Sequence, residues 1–132
     1  ASLLREQTAA YFLAEEGVEF FHNWIDTNSF TDGTDWLSGL DSCLSSDGSA
    51  TCIVDSLPKT VTACVPDCPV LLFDDGDGIF GYSIGSESIF RRSVSLTELI
   101  VDQEVKIEVR VEWFHTGNLR EAVLVEHLFN WR

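Results

Sequence analysis

The stretch ASLLREQTAAYFLAEEGVEFFHNWI, residues 1–25, decides the fold of this chain. Its apolar side chains recur at spacings of seven, three and four, which places a continuous stripe along one side of an α-helix. The stripe consists of Leu4, Tyr11, Ala14, Val18, Phe21 and Ile25. Phe12, Phe20 and Trp24 widen it beyond the surface that one packing partner covers. We therefore expect the helix to contact both its own domain and a second partner.

Gly17 lies inside this helical pattern. A glycine in a helix interior costs roughly 1 kcal/mol relative to alanine. We therefore expect tertiary contacts, rather than helix propensity, to hold this helix in place.

The last third of the chain has the clearest strand pattern. Apolar and polar residues alternate over residues 105–114, which is typical of an antiparallel strand with one solvated face. A less regular alternation precedes it at 89–99, and residues 121–129 predict a return strand. The sequence therefore predicts an α+β domain, in which a long N-terminal helix packs on an antiparallel sheet that ends in a three-stranded meander.

Shorter elements are predicted between the helix and the meander. After a polar loop at 26–33, Asp35 is placed as the N-cap of a short helix that extends through Leu40. The acidic glycine run at 74–78 indicates a hairpin turn. Short strands are expected at 52–55, 61–64, 70–73 and 79–83.

The length of 132 residues fits a single domain with one hydrophobic core. Within the domain 1–132 we distinguish the helix (1–25), a loop-rich region held by disulfides (26–80) and the antiparallel sheet (81–132). No apolar run reaches the roughly eighteen residues that a bilayer-spanning helix needs. Because the chain begins already in helical register, we expect a hydrophobic segment to precede it.

The net charge of −14 is concentrated in the middle of the chain. Residues 26–80 carry ten Asp against Lys59 alone, which accounts for −9. Such an acidic surface repels phosphate groups, so we expect no direct binding of nucleic acid or of anionic lipid headgroups.

Four cysteines form two local pairs, Cys43 with Cys52 and Cys64 with Cys68. An even count without a catalytic thiol context favours disulfides and an oxidising compartment, although three connectivities are possible. Pro66 would bend the shorter loop so that its two thiols meet, and we predict the local pairing. A four-thiolate zinc site usually has two C-x-x-C pairs, which are absent, and free thiols are the remaining alternative.

No pattern in the sequence indicates catalysis. His22, His115 and His127 form no H-E-x-x-H or H-x-H motif, and no G-x-S-x-G elbow is present. The glycines show no phosphate-binding pattern. We therefore predict that the protein is not an enzyme and has no catalytic residues.

The acidic turn is a candidate calcium site. Asp74, Asp75 and Asp77 place three carboxylates within four residues, and Ca²⁺ prefers such oxygen ligands. However, the twelfth position counted from Asp75 is Ser86 instead of the glutamate of a calcium loop. Asp and Gly are also common turn residues. We expect no strong calcium site and no other cofactor.

Several fragments of the sequence match a pattern that is typical of one protein family. Residues 7–19 (QTAAYFLAEEGVE) and 23–28 (NWIDTN) follow the pattern A-x-x-L-A-x-E-G-[IV]-E…N-x-x-D-x-N. Further fragments in family order are 36–40 (WLSGL), Cys43 with 52–55 (CIVD), 90–92 (FRR) and 130–132 (NWR). Together they resemble bacterial type IV pilin-like and pseudopilin subunits, in the soluble domain that follows the membrane-spanning half-helix. The resemblance covers nearly the whole chain.

The resemblance implies a structural subunit of an extracellular type IV pilus-like or pseudopilus filament on the cell surface. Such a subunit is anchored in the inner membrane through its N-terminal segment before assembly, and it then packs against other copies or related subunits. The expected assembly interface on the helix comprises Leu3, Leu4, Tyr11 and Phe12. We expect Leu3, Leu4 and Tyr11 to lie beyond the reach of the sheet, with Val18, Phe21 and Ile25 buried on it.

Two further expectations concern the remaining polar and aromatic residues. In the family a basic pair follows an aromatic residue, as Arg91 and Arg92 follow Phe90, and we expect it to pair with acids on a neighbouring strand or subunit. The alternative to a filament subunit is a secreted monomeric domain for ligand binding or adhesion. Its site would use the Asp-rich loops together with Trp36 and Tyr82 as exposed aromatic residues.

Overall fold

The computed structural model describes residues 2–131. Ala1, where the predicted helix begins, and Arg132, where the predicted domain ends, lie outside the described residues. The chain forms one helix, α1 (Leu3–Ser29), followed by eight strands. The strands are β1 (Leu44–Ser45), β2 (Cys52–Asp55), β3 (Thr60–Ala63), β4 (Val70–Asp74), β5 (Ile79–Gly81), β6 (Ser86–Ile100), β7 (Glu104–His115) and β8 (Asn118–Phe129).

Helix α1 begins at a polar cap and continues further than its sequence indicates. The Ser2 hydroxyl accepts a hydrogen bond from the backbone N–H of Arg5 (3.2 Å). The helix runs to Ser29, four residues past position 25, although DTNS is a typical loop sequence. The Asn28 amide donates to the carbonyls of Trp36 (3.1 Å) and Ser38 (2.9 Å). These contacts hold the last turn of α1 in place. The loop after the helix is therefore shorter than the predicted loop at 26–33.

Strand β6 organises the sheet. Along one edge it pairs with β7, from Arg91 opposite Glu112 to Ile100 opposite Glu104. Along the other edge it pairs in turn with β4, β2 and the two-residue strand β1, and only the β1 pairing is parallel. Strands β3 and β5 extend this second side. The predicted meander is present as β6, β7 and β8, joined by antiparallel pairings, and the α+β class is confirmed.

The helix packs on the meander. The inward apolar side chains of β7 are all buried, and α1 contacts β7, β8 and β6. The buried side of the helix comprises Ala10, Leu13, Ala14, Gly17, Val18, Phe20, Phe21 and Ile25. Val18, Phe21 and Ile25 are therefore buried as expected. Leu4 and Tyr11, the part of the stripe expected to lie beyond the sheet, are exposed.

The expectation that Leu3 lies beyond the sheet, by contrast, is wrong. Leu3 is partly buried and packs against the core. The sheet reaches this end of the helix because the Glu6 carboxylate accepts a hydrogen bond from Trp113 Nε1 (3.2 Å) and contacts His115 Nδ1 (2.8 Å). Trp113 and His115 at the end of β7 thus extend the contact between the sheet and α1 toward the start of the helix.

Gly17 marks the closest approach between α1 and the sheet. A Cβ at this position would lie 2.9 Å from Val109 Cγ1, which is nearer than carbon atoms pack. The glycine therefore allows the helix to lie directly against β7. This contact explains why a residue unfavourable to helices occurs at the centre of α1.

The predicted short helix at 35–40 is absent, and hydrogen-bonded turns replace it. Asp35 still caps the segment, because its Oδ2 accepts from the backbone N–H of Leu37 (3.1 Å). Gly39 has φ +85°, which ends any helical path, and the Trp24 ring packs against it. Among residues 2–131 no helix combines the length and apolar character that crossing a membrane requires.

Candidate functional site

The side of α1 that faces away from the sheet carries large apolar side chains. Leu4 is 72% exposed, Tyr11 51% and Phe12 60%. Around them lie charged residues, among them Arg5, Glu15 and Glu19. Three of the four residues predicted as an assembly interface therefore lie in solvent in the isolated chain, while Leu3 lies at the margin of the core.

A groove of about 940 Å³ continues this outward side toward the end of the helix. It lies between α1 and the segment that follows β2. Phe20 and Trp24 stack along it with ring centroids 5.6 Å apart. Its lining consists of Phe12, Glu15, Glu16, Glu19, Phe20, Asn23, Trp24, Thr27, Asn28, Ser56 and Lys59. The groove thus combines an apolar floor with three carboxylates and one ammonium group.

The basic pair divides between the two faces of the sheet. Arg91 is exposed, whereas Arg92 is buried beneath α1. Arg92 Nη1 donates to the Leu13 carbonyl (2.9 Å) and to Glu16 Oε1 (2.9 Å). Its Nη2 donates to the Val54 carbonyl (3.0 Å). Arg92 therefore joins the helix to β2 and pairs with an acid on the helix instead of one on a neighbouring strand.

Two aromatic residues expected at an exposed ligand site are not exposed. Trp36 is fully enclosed in the core, and the Tyr82 hydroxyl is buried without a hydrogen-bond partner among residues 2–131. Burial raises the pKa of the Tyr82 hydroxyl, and the positive charge of Arg92 opposes part of that rise. The expectation that these two residues are exposed is therefore wrong, because Trp36 lies in the core and Tyr82 packs against it.

The acidic turn forms the tip of the β4–β5 hairpin, as predicted from its glycines. Asp74 Oδ1 accepts from the backbone N–H of Gly76 (3.0 Å), and the Asp74 carbonyl accepts from Gly78 (2.7 Å). Asp74 thus closes the turn by local hydrogen bonds. Within residues 2–131, no group of three histidine, cysteine or acidic side chains is arranged to hold a metal ion, and this includes Asp74, Asp75 and Asp77.

Each histidine pairs with a glutamate on another element. His22 on α1 contacts Glu126 on β8 (2.5 Å), and His127 contacts Glu104 across β7 and β8 (2.8 Å). Together with His115, which contacts Glu6, they form separate pairs instead of one cluster. The pairs of His22 and His115 fasten the helix to the sheet at two points.

The cysteines form the two predicted disulfides. Cys43–Cys52 is buried beside β6, and Cys64–Cys68 closes a five-residue loop before β4. Their S–S distances are 2.01 and 2.06 Å. The first disulfide anchors the turn segment to the core, and the second constrains a surface loop.

Sequence reasoning did not find the central role of Arg92, although a signal was present. Arg92 shares strand parity with Phe90, Val94 and Leu96, which are all buried. Alternation along β6 therefore places the guanidinium on the core side. A charged residue at such a position indicates a buried partner, which Glu16 and two carbonyls supply.

Comparison of the chain with protein-family models, with curated proteins and with solved structures finds no match. The assignment of a function therefore depends on the arrangement of the side chains described above.

Proposed function

We propose that this chain is the soluble part of a structural subunit of an extracellular type IV pilus-like or pseudopilus filament. A hydrophobic segment before residue 1 would anchor the subunit in the membrane and continue α1 into the filament core. The outward side of α1 would then pack against other copies or related subunits. The subunit needs no catalytic residue and no cofactor for this function.

The outward side of α1 is the observation that carries the proposal. Leu4, Tyr11 and Phe12 remain in solvent although the helix already buries eight residues on the sheet. Large apolar side chains that are exposed together, with charged residues around them, are typical of protein interaction sites. The groove beside Phe20 and Trp24 begins at Phe12, so a neighbouring subunit could contact both the outward side and the groove.

The two disulfides favour a secreted or extracellular location, where thiols are oxidised. A filament on the cell surface meets this condition. With a net charge of −14, contacts between copies are favoured where apolar side chains meet. Leu4, Tyr11 and Phe12 on the outward side provide such side chains.

The double variant Leu4→Glu with Tyr11→Ser tests this function. Both side chains are exposed, so we expect a melting temperature close to that of the unchanged chain. In cells that express the full-length protein, we expect filaments to disappear, because a carboxylate would enter an apolar contact. Electron microscopy of shed filaments, together with thermal unfolding of the chain, measures both effects.

Two controls separate assembly from folding. The pair Val101→Glu with Ile84→Ser makes equivalent changes at exposed apolar positions outside α1, and it should leave filaments intact. Phe21→Ala should instead reduce stability by about 3–5 kcal/mol, because this ring is fully buried. If the Leu4 and Tyr11 variant unfolds the chain, or if filaments persist, a monomeric secreted domain becomes the better explanation.

A further inference from the structure

Strand β8 is a long edge of the sheet without a strand on its outer side. It pairs with β7 over twelve consecutive residue pairs with no shift of register, and within residues 2–131 it pairs with no other strand. It contains no glycine and no proline. The edge strands β3 and β5 have four and three residues, so they expose little backbone. Proteins usually protect long edges with bulges, prolines or lysines, and β8 has none of these.

The turn before β8 determines which backbone groups point outward. Thr116 and Gly117 both have positive φ (49° and 81°), as in a two-residue type I′ turn. The residues that flank such a turn, His115 and Asn118, form a hydrogen-bonded pair. Even-numbered residues of β8 therefore bond to β7. The residues whose N–H and C=O groups point outward are Leu119, Glu121, Val123, Val125, His127 and Phe129.

The same six residues lie on the sheet face opposite α1. Glu126 contacts His22 of α1, which places the even-numbered side chains of β8 on the helix side. The odd-numbered side chains follow on the other face because strand residues alternate. Leu119, Val125 and Phe129 are each about half exposed there. The edge thus presents apolar side chains together with free backbone groups.

The outward residues match one another when the strand is reversed about Leu124. A second copy placed antiparallel with its Leu124 opposite the first pairs Leu119 with Phe129, Glu121 with His127 and Val123 with Val125. All three combinations are favourable across strands. They are also the residues with outward backbone groups, so the ladder of hydrogen bonds is complete in this register. A shift of this register by two residues would instead place the charged Glu121 opposite the apolar Val125 or Phe129.

The charges on this edge are compensated before a second copy approaches. Arg110 Nη1 donates to Glu121 Oε2 (2.5 Å), and His127 Nδ1 contacts Glu104 Oε2 (2.8 Å). Most of the net charge of −14 lies elsewhere, with −9 in residues 26–80. The β8 edge is therefore a place where two strongly acidic copies can meet with little repulsion.

We propose that two copies of this chain form a closed dimer through antiparallel pairing of β8 with β8 about a twofold axis at Leu124. The contact is isologous, so it ends with two copies and leaves no second β8 edge for further addition. It uses the sheet edge, whereas the filament contact proposed above uses the outward side of α1. The dimer therefore does not depend on the filament function, and each can fail without the other.

Disulfide trapping tests the register directly. At the axis, the two Leu124 Cα atoms would be about 4.5 Å apart in a non-hydrogen-bonded pair, which lies within the range of a disulfide. We expect Leu124→Cys to give a covalent dimer on mild oxidation, seen on non-reducing gels and by intact mass. Leu128→Cys is the matched control on the same face of the same strand. Its two copies would be separated by about 27 Å at 3.4 Å per residue, so no dimer is expected.

Sedimentation equilibrium of the unchanged chain and of an edge variant provides the second test. Val125→Pro removes an outward N–H without breaking a bond to β7, and we expect it to raise the dimer dissociation constant at least tenfold. Val125→Thr retains the N–H and should change the constant less than threefold. Circular dichroism checks that both variants remain folded.

Three results would overturn the dimer. The first is an unchanged chain that remains monomeric at several hundred micromolar. The second is equal cross-linking of Leu124→Cys and Leu128→Cys, which would indicate random collision. The third is open-ended association beyond two copies, because a twofold contact through β8 closes.

Discussion

Both sides of helix α1 carry large apolar side chains, but only one of them packs on the sheet. The side toward the sheet buries Phe21 and Leu13, whereas the outward side leaves Tyr11 and Phe12 in solvent. What distinguishes the buried side is a row of small residues, Ala10, Ala14 and Gly17, at spacings of four and three. Small residues let the backbone of the helix approach β7 closely. Shape, and not hydrophobicity alone, therefore selects the side that packs on the sheet.

A second difference between the two sides is the buried cation. Arg92 donates to a carbonyl of the helix and to Glu16, and this attaches the sheet side at its centre. On the outward side Arg5, Glu15 and Glu19 are exposed and form no ion pair within residues 2–131. The buried side is therefore specified by both a steric and an electrostatic contact. Each contact can be removed separately by mutation.

The largest effect is expected from Arg92→Met. Removing this guanidinium leaves the Val54 carbonyl without its donor and Glu16 without its cation, and we expect a loss of about 3–5 kcal/mol in the free energy of unfolding. Arg91→Met is the matched control, because Arg91 is next to Arg92 in sequence but is exposed on the other face of the sheet. For this variant we expect a change in the free energy of unfolding within about 0.5 kcal/mol. Urea denaturation of both variants measures the difference.

Glu16→Gln separates the contribution of the Arg92–Glu16 ion pair from that of the two carbonyl contacts of Arg92. The Glu16 carboxylate is 31% exposed, so water replaces some of what it supplies, and we expect a smaller loss than for Arg92→Met. Equal losses for the two variants would show that the ion pair dominates over the two carbonyl contacts. Equal losses for Arg91→Met and Arg92→Met would contradict the role assigned to the buried cation.

An intermediate effect is expected from Gly17→Ala. On an exposed helix position this change gains about 0.5–1 kcal/mol in helix propensity. Here the new methyl group would meet Val109 at 2.9 Å, and overpacking of this kind costs about 1–3 kcal/mol. We expect a net destabilisation of about 1–2 kcal/mol, measured by thermal and chemical unfolding.

A double-mutant cycle with Val109→Ala tests the cause of that loss. If the methyl group clashes with Val109, the double variant will be more stable than the sum of the two single changes predicts. Strict additivity would show that the glycine is not the point of closest approach.

Much of the sheet could be predicted because its strands and turns follow local sequence patterns. Alternation over 105–114 identified β7, and the glycines of the acidic run identified the β4–β5 hairpin. The side of the helix was harder to predict. Leu4 and Tyr11 fit the helical period as well as Val18 and Phe21 do, and the period alone does not distinguish a solvated residue from a packed one.

The parts that sequence reasoning missed depend on contacts between distant residues. The last turn of α1 is held by Asn28, which binds carbonyls eight and ten residues away. The segment after Asp35 has a helical cap but forms turns, because Trp36 and Leu40 are drawn into the core and Gly39 adopts positive φ. Trp36 and Tyr82 appeared available for a surface site because aromatic residues within polar loops give no local sign of burial.

The smallest effect expected on the buried side concerns Tyr82, whose hydroxyl lies close to the charge of Arg92. Burial raises the pKa of this hydroxyl above its ordinary value of 10.0, and the nearby Arg92 charge opposes part of the rise. Above about pH 10 the unfolded chain releases the Tyr82 proton while the folded chain retains it. The folded state then binds more protons, so this contribution to stability is complete below pH 10 and declines as the pH rises through the folded pKa.

Tyr82→Phe should therefore remove part of the alkaline decline in stability, and the difference in phenolate absorbance between the two proteins should give a titration displaced upward from pH 10. Tyr11→Phe is the matched control from the outward side of the helix, and it should retain the decline because Tyr82 is still present. Chemical unfolding at pH 8, 10 and 11 provides the measurement, with the unchanged chain as reference. A difference titration centred at or below pH 10 would mean that water reaches the hydroxyl, and the interior beside Arg92 would then be as solvated as the outward side.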